Sequence, residues 1–312
     1  MGNIINFSRN LTFGQFSSYV AAIGVFDGVH RGHRQIIKKA FERARSCGAG
    51  VIAVSFSPHP RSLFFPQAPP ELLMTESQRA AALLAAGADD CVFINFTPAV
   101  ASLEPEIFLE ELKNNSGLNI CGICVGSNWR FGAGGRGNRE LLAGFCKKNN
   151  WSFDAVQELE FEGETISSSA IRKAVAAGQL ERAASMQGYP VQLTGVVEHG
   201  FHIATDELAA PTANLRLTAG VMVPDGVYSG SAVVDGKRYP AALNIGVAPT
   251  YGNGLRRIEI HLIGFSGSLY GRELCVELYR FLRPEKRFAS PDELRQQIAK
   301  DISCIMADCP AT

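Results

Sequence analysis

Two histidines, His30 and His33, follow a short apolar run and open a segment with helical periodicity. Side chains spaced at i and i+3 share one helix face, so both imidazoles can address one ligand. A helix N-terminus offers unpaired N–H groups and a partial positive charge, which suit phosphate. Gly28 and Gly32 let phosphate oxygens come close to the backbone, because glycine has no Cβ. This turn predicts a nucleotide-phosphate site, where imidazoles stabilise charge as a bond between two phosphates breaks.

Two other interpretations of the histidine turn stay open. Histidines are also metal ligands, and Asp27 could contribute to a Mg²⁺ site through a water, although no third histidine or cysteine lies near in sequence. The turn is also compatible with an ordinary polar helix start that carries two incidental histidines.

A second helix start is rich in hydroxyl groups. Ser167, Ser168 and Ser169 stand just before the segment that carries Arg172. Serine caps helix N-termini, and a guanidinium binds phosphate oxygens as a fork. Alone, this pattern predicts only a capped helix. Its occurrence in one domain with the histidine turn favours a site that holds a triphosphate from both sides.

A glycine-rich segment over 126–137 follows a predicted strand and includes Asn128 and Arg130. Ligands of open parallel sheets bind beyond the carboxyl ends of the strands, which makes both side chains candidates for ligand binding. The glycines are equally compatible with a mobile surface loop.

The chain before residue 188 alternates short β-branched runs with helical patterns. Such alternation predicts an α/β fold, a doubly wound parallel sheet with crossover helices. The predicted strands are 19–25, 51–56, 91–96, 120–125 and 156–159, and the predicted helices are 34–46, 77–86 and 105–114.

From residue 188 onward, short strand-like runs are separated by Gly, Pro and Asp with no helical pattern between them. This spacing predicts a small antiparallel β-barrel. Ser290 and Glu293 form a capping box around Pro291, which predicts a terminal helix. The predicted domains are therefore 1–187 and 188–312.

Composition excludes several classes of protein. The 312 residues are 46% apolar and 19% charged, as in folded globular proteins. Thirty basic residues balance thirty acidic ones, so no overall field draws the chain to nucleic acid or to an anionic membrane. No run approaches the ~20 apolar residues of a membrane span. With eight cysteines that lack zinc-site spacing, the chain is expected to be soluble and cytoplasmic.

In order and spacing, these motifs resemble the bacterial bifunctional riboflavin kinase/FAD synthetase family over nearly the full length. The matching segments of the first half are 24–33, 55–60, 130–132 and 166–172. The resemblance implies that this domain adenylylates FMN with ATP and Mg²⁺, releasing FAD and pyrophosphate. It implies catalytic roles for His30, His33, Ser168 and Arg172. It implies ligand contacts for Gly24, Phe26, Asp27, Gly28, Gly32, Pro58, His59, Asn128, Arg130, Ser167 and Ser169.

The resemblance extends through the second half. Residues 211–214 match the family's kinase motif, which implies that Thr212 and Asn214 bind Mg²⁺ and ATP phosphate. Asn244 falls in a further segment around the nucleotide, and Glu259 aligns with the general base for the riboflavin hydroxyl. Periodicity alone would make Glu259 a solvent-facing strand residue.

One loop departs from the family pattern. Thr205 and Ala209 replace glycines, and Asp206 replaces a usual basic residue, which puts a carboxylate near a triphosphate. The leading hypothesis is a bifunctional enzyme that uses riboflavin, FMN and ATP. The alternatives are an FAD synthetase whose barrel only binds flavin or regulates, and a nucleotidylyltransferase acting on another phosphorylated alcohol.

Overall fold

The structure is a computed structural model that describes residues 5, 7–8, 16–115, 117–198, 213–247, 256–286 and 288–309. The chain divides into two units. The first unit contains Met1–Pro70 and Glu76–Ser167, and the second contains Glu71–Thr75 and Ser168–Thr312.

A six-stranded sheet is the centre of the first unit, with strands in the order β1-β4-β3-β2-β5-β6. Five strands run parallel, and β1 pairs antiparallel with β4. The strands are β1 (Phe7–Ser8), β2 (Tyr19–Ile23), β3 (Gly50–Ser57), β4 (Asp90–Asn95), β5 (Ile120–Gly126) and β6 (Ser152–Val156). The helices are α1 (Arg31–Cys47), α2 (Pro60–Phe64), α3 (Glu76–Ala85), α4 (Pro98–Ala101), α5 (Pro105–Asn115) and α6 (Arg139–Lys148).

The doubly wound prediction is confirmed, and burial explains why the sequence forms it. Every residue of β2 is buried, as expected for a central strand covered on both faces. Helix α1 contributes Ile36, Ile37, Ala40 and Ala44 to the core. Phe41 follows Ala40 and falls on the same side of α1 by helical spacing, but it is 39% exposed and lies outside that core.

The fifth predicted strand, over 156–159, is wrong in position, since β6 occupies Ser152–Val156. This edge strand is only half-buried, and Asp154 on it forms an ion pair with Arg43 at 2.8 Å. Polar residues therefore interrupt its apolar pattern. A short hairpin of β7 (Glu160–Phe161) and β8 (Glu164–Thr165) follows.

A closed six-stranded barrel forms most of the second unit, in the order β10-β13-β12-β11-β14-β9, with all neighbours antiparallel. Its strands are β9 (Val191–Glu198), β10 (Ala213–Ala219), β11 (Gly226–Val234), β12 (Lys237–Val247), β13 (Arg256–Leu262) and β14 (Glu273–Arg283). Helices α7 (Ser168–Ala176) and α8 (Leu180–Gln187) precede it, and α9 (Pro291–Asp308) follows it.

The terminal helix is confirmed together with its cap. The Ser290 side chain accepts a hydrogen bond from the N–H of Glu293 at 3.2 Å, as in a capping box. Arg283 of β14 binds Asp301 of α9 at 2.8 Å, and Ile305 is fully buried. Within the described residues, no helix has the length and apolar character to cross a bilayer.

Candidate active sites

The loop between β2 and α1 has an unusual backbone. Phe26, Gly28 and Val29 have φ angles of 53°, 79° and 30°, all in the left-handed region. A β-branched residue such as Val29 is strained there, so surrounding contacts must hold it. Val29 and Phe26 are both fully buried, and the N–H of Val29 donates to the carbonyl of Phe26 at 3.1 Å. Such strained, over-determined loops concentrate at binding and catalytic sites.

The structure brings the two predicted histidines into direct contact. His30 is the N-cap of α1, and its Nδ1 accepts the N–H of His33 at 3.4 Å. The two rings stack at 3.6 Å between centroids with 20° between their planes. Phe26 packs edge-on against His33 at 5.2 Å. The pair is therefore fixed at the start of the helix, where the backbone dipole favours an anion.

The His33 ring has an unsatisfied polar atom. Its Nδ1 is buried and has no hydrogen-bond partner in the described part of the chain. Burial lowers the pKa of His33 well below 6.5, and the neighbouring His30 and Arg79 lower it further. A neutral imidazole with a buried unpartnered nitrogen is a group that a ligand can satisfy.

We expect His33 to titrate below pH 6.5 in the folded protein. Because its unfolded-state pKa is higher, the unfolded chain takes up the proton first as the pH falls. Stability present above pH 6.5 therefore declines as the pH falls through the folded pKa. Side-chain NMR of the histidines measures this midpoint, with the urea-unfolded chain as reference. A folded midpoint at or above the unfolded one would contradict it.

Other predicted residues lie at the same edge of the sheet. β2 pairs in parallel with both β3 and β5, so the carboxyl ends of these strands meet there. Beyond β3, His59 is buried and caps α2, its Nδ1 accepting the N–H of Arg61 at 3.1 Å. Beyond β5, the Asn128 amide donates to the carboxylate of Glu158. Arg130 is exposed in the same loop.

The segment that leads to the serine cluster also passes the histidine helix. A Cβ at Gly32 would lie 3.2 Å from the His30 ring and 3.8 Å from the carbonyl of Ile166. Ser167, the next residue, is half-buried in the first unit.

The remaining residues of that cluster belong to the second unit. Ser168 begins α7, and Ser169 is exposed. The Arg172 guanidinium donates through Nε to the carbonyl of Glu71 at 2.6 Å. The position of Arg172 on α7 is therefore fixed by a backbone contact inside its own unit.

Gly132, in the loop after β5, carries a conformation that only glycine adopts. Its φ and ψ are 70° and −180°, and a Cβ would lie 2.7 Å from the Cα of Pro105. We expect Gly132→Ala to lower the free energy of unfolding by about 2–3 kcal/mol. The matched control is Gly144→Ala in α6, where a Cβ meets no atom within 4 Å. That change should raise stability by up to about 1 kcal/mol. Chemical denaturation measures both, and equal stabilities would contradict the assigned strain.

On the barrel, three predicted side chains form one row. Glu259 of β13 pairs with Asn214 of β10 on one side and with Asn244 of β12 on the other. Directly opposed residues lie about 5 Å apart on one face of a sheet. Flanking residues point to the opposite, buried face; they are Leu215, Leu243, Ile245, Ile258 and Ile260. The row is therefore on the outer face of the barrel.

Two oxygens of this row are unsatisfied. The Oδ1 atoms of Asn214 and Asn244 are buried, and neither accepts a hydrogen bond from any residue that the structure describes. Glu259 stands between them and is half-buried. The arrangement presents amide and carboxylate oxygens to one ligand. Thr212 and the atypical loop over 201–210 lie outside the described residues.

Sequence reasoning missed Arg79 and Ser55 at the first site. Arg79 is only 5% exposed. It donates to the carbonyl of Val25 at 3.0 Å, in the loop of residues 24–30 between β2 and α1, which we call the histidine loop. Ser55 is fully buried and donates to the same carbonyl at 2.8 Å. The sequence feature that could have identified Arg79 is its spacing. It lies one helical turn before Leu83, which places an arginine on the buried side of an alanine-rich helix.

Comparison with known proteins agrees with this architecture. A solved structure described as a macrolide-efflux protein from Streptococcus pneumoniae superposes with a TM-score of 0.79 and 25% identity. The match covers 93% of this chain and 94% of that one. An FAD synthetase family model matches residues 14–170, and a riboflavin kinase family model matches residues 187–307.

Several proteins named bifunctional riboflavin kinase/FMN adenylyltransferase are similar along almost their whole length. The one from Pseudomonas fluorescens is 36% identical over 92% of both chains. The one from Escherichia coli K12 is 34% identical over 94% of this chain and 93% of its own. The one from Bacillus subtilis is 31% identical over 90% of both. The chain therefore belongs to the bifunctional riboflavin kinase/FMN adenylyltransferase family.

Proposed function

We propose that this chain phosphorylates riboflavin with ATP, giving FMN and ADP, and then adenylylates FMN with a second ATP, giving FAD and pyrophosphate. Residues 1–187 carry the adenylylation and residues 188–312 carry the kinase reaction. Family models over 14–170 and 187–307 support this division. The observation that carries the proposal is a pair of separate sites with unsatisfied buried atoms, one at His33 and one at Asn214 and Asn244.

In the adenylylation, a phosphate oxygen of FMN attacks the α-phosphorus of ATP. The bond from that phosphorus to the bridging oxygen breaks, and pyrophosphate leaves with the electron pair. His30 and His33 stabilise the charge that develops on the phosphate oxygens, and the N-terminus of α1 adds its partial positive charge. Because the pKa of His33 is lowered, its imidazole stays neutral near pH 7 and can donate a hydrogen bond from its ring N–H. Ser168 and Arg172 bind further phosphate oxygens.

Residues at the ends of neighbouring strands hold the substrates of this reaction. Gly28 and Gly32 allow close approach of phosphate to the backbone, with Gly24, Phe26 and Asp27 completing the loop. Asn128, Arg130, Ser167 and Ser169 lie in segments assigned to the nucleotide. Pro58 and His59 line the flavin side, where the turn after β3 leaves the sheet.

In the kinase reaction, the riboflavin hydroxyl attacks the γ-phosphorus of ATP, and ADP leaves. Glu259 orients the hydroxyl and accepts its proton as the new bond forms. Asn244 contacts the nucleotide from the next strand, paired with Glu259. Positioning by these side chains supplies most of the rate, since phosphoryl transfer demands little covalent chemistry from the protein.

The donor set at this site fits Mg²⁺. The unpartnered Oδ1 of Asn214 is a hard oxygen donor, and the carboxylate of Glu259 on the adjacent strand adds negative charge beside it. Thr212 would supply a further oxygen. Mg²⁺ keeps several waters and binds substrate phosphates, so few protein ligands are needed. When bound, it neutralises negative charge on the phosphates.

The test assays the two half-reactions separately. The full chain is supplied with riboflavin, ATP and Mg²⁺, or with FMN, ATP and Mg²⁺, and flavin products are separated chromatographically. FMN from the first mixture and FAD from the second are expected. If pyrophosphate is released with another phosphorylated alcohol but not with FMN, the proposal fails.

A second candidate is an FAD synthetase whose barrel binds flavin without turnover. The substitutions Thr205, Asp206 and Ala209 favour it, because a carboxylate there repels a triphosphate. Its signature is FAD made from FMN with no FMN made from riboflavin. Calorimetry of the full chain with riboflavin and ADP would then show binding.

A further inference from the structure

Arg79 is a buried cation to which the two reactions above give no role. It lies on α3 with 5% of its surface exposed, and its guanidinium sits 4.8 Å from the Phe93 ring centroid. A buried arginine is retained only where hydrogen bonds and charge partners offset its desolvation. Its hydrogen-bond partners here are one backbone carbonyl of the histidine loop and one near the end of β3.

The first partner is the histidine loop. Nη1 of Arg79 donates to the carbonyl of Val25 at 3.0 Å, and the Ser55 hydroxyl donates to the same oxygen at 2.8 Å. Val25 directly precedes Phe26, whose ring packs against His33. One carbonyl is therefore held by two buried donors from different elements.

The second partner is the end of β3. Nη2 of Arg79 donates to the carbonyl of Phe56 at 3.0 Å. Earlier on this strand, the carbonyl of Val54 accepts the N–H of Gly24, but β2 ends at Ile23. Carbonyls two apart point to the same side of a strand, so the carbonyl of Phe56 lies beyond the last backbone donor on that side. Arg79 supplies the missing donor just before the Pro58–His59 turn.

The charge of Arg79 also acts inside the site. Burial lowers the pKa of Arg79, while the carboxylate of Asp27 raises it. The same guanidinium is one of the causes of the lowered pKa of His33, after burial and His30. Among the described residues, the titratable or charged groups that act on His33 are therefore His30 and Arg79, and Asp27 acts on Arg79.

We propose that Arg79 is a positioning residue for adenylyl transfer. Its guanidinium joins the histidine loop to the end of β3, from which the Pro58–His59 turn leaves, and so fixes the nucleotide phosphates relative to the flavin. This inference rests on the proposed adenylylation at His30 and His33. An arginine fork suits this role, because each of two donors lies 3.0 Å from one of the two carbonyls. Neither the histidine loop nor the end of β3 can shift without losing a hydrogen bond.

The test compares Arg79→Met with Arg79→Lys in the full chain. Methionine keeps much of the volume but loses both donors and the charge, while lysine keeps the charge but not the fork. We expect Arg79→Met to lower kcat/KM for FAD formation by about 10²-fold, as for a misplaced reacting group. Hydrogen exchange at the amides of β2 and β3 reports that the first unit of each variant is folded, since kinase activity reports only on the second unit.

A pH profile separates positioning from simple structural support. With the cation removed, protonation of His33 becomes easier, so the acidic limb of kcat/KM should move to higher pH in Arg79→Met. Arg79→Lys keeps a positive charge and should leave that limb in place while still lowering kcat. A purely structural role would lower active-enzyme concentration without moving the limb.

Ser55→Ala is the second variant, in case Arg79→Met does not fold. It removes one hydrogen bond to the same carbonyl and should lower kcat for FAD formation by about tenfold. FAD formation within about threefold of the wild type in a folded Arg79→Met chain, or unchanged in Ser55→Ala, would overturn the inference. The proposed function has its own test, because FAD synthesis by the wild type and its loss in His33→Ala do not depend on Arg79.

Discussion

His33→Ala is expected to lower FAD formation from FMN by about 10³-fold, while riboflavin phosphorylation stays within about twofold of the wild type. The change removes the imidazole whose Nδ1 is buried without a partner in the described residues. It also removes the ring stacked on His30 at 3.6 Å. A donor lost from a preorganised, partly desolvated site costs far more rate than one lost in water.

Separate assays of the two half-reactions measure this effect. Lys38→Ala is the matched control, because Lys38 is an exposed residue of the same helix. Its two activities should be unchanged. An equal loss of both activities in His33→Ala would contradict separate sites, and retention of FAD formation would remove the imidazole from the chemistry.

Glu259→Gln is expected to lower riboflavin phosphorylation by about 10³-fold, within the range typical of a lost general base. Glutamine keeps the size and one oxygen but cannot accept the hydroxyl proton. The row of Asn214, Glu259 and Asn244 should stay intact, because the strand pairing depends on backbone hydrogen bonds. The loss should therefore appear in kcat rather than in stability.

Steady-state assays of FMN formation, with FAD formation from FMN as an internal reference, measure the change. Glu273→Gln on β14 is the matched control, since this exposed glutamate pairs with Val196 and lies outside the row. It should leave FMN formation unchanged. If Glu259→Gln kept normal kcat, Glu259 would be only a strand residue beside the nucleotide.

The effects of His33→Ala and Glu259→Gln can also be followed through FMN, the product of one proposed reaction and the substrate of the other. In the proposed scheme, FMN formed at the barrel is the substrate of the histidine site, so a chain with Glu259→Gln should make FAD from FMN but not from riboflavin. A chain with His33→Ala should accumulate FMN. Mixing the two variants with riboflavin and ATP should restore FAD, because FMN can diffuse from one chain to the other. Absence of FAD in the mixture would contradict this independence.

Much of the architecture was predictable because its signals are local. Three features each depend on a few neighbouring residues. They are the strand and helix that flank the histidine turn, the cap at Ser290, and the short strands separated by turn residues that predict the barrel. The position of β6 was predicted wrongly, because polar residues interrupt its apolar pattern. This edge strand carries Asp154 in an ion pair. Phe41 is a second example. Helical periodicity predicts which residues share a face, but it does not predict how much of that face other elements cover.

Residue types and order, by themselves, indicated two domains, a phosphate-binding helix start and the family. Tertiary structure alone decided which distant groups meet. Asn214, Glu259 and Asn244 share a row only because three strands pair in one register. The role of Arg79 could be inferred only from its hydrogen bonds to two backbone carbonyls outside its own helix. The physical reason is that hydrophobic pattern and capping act over a few residues, whereas register and buried polar pairing are settled when the whole domain closes.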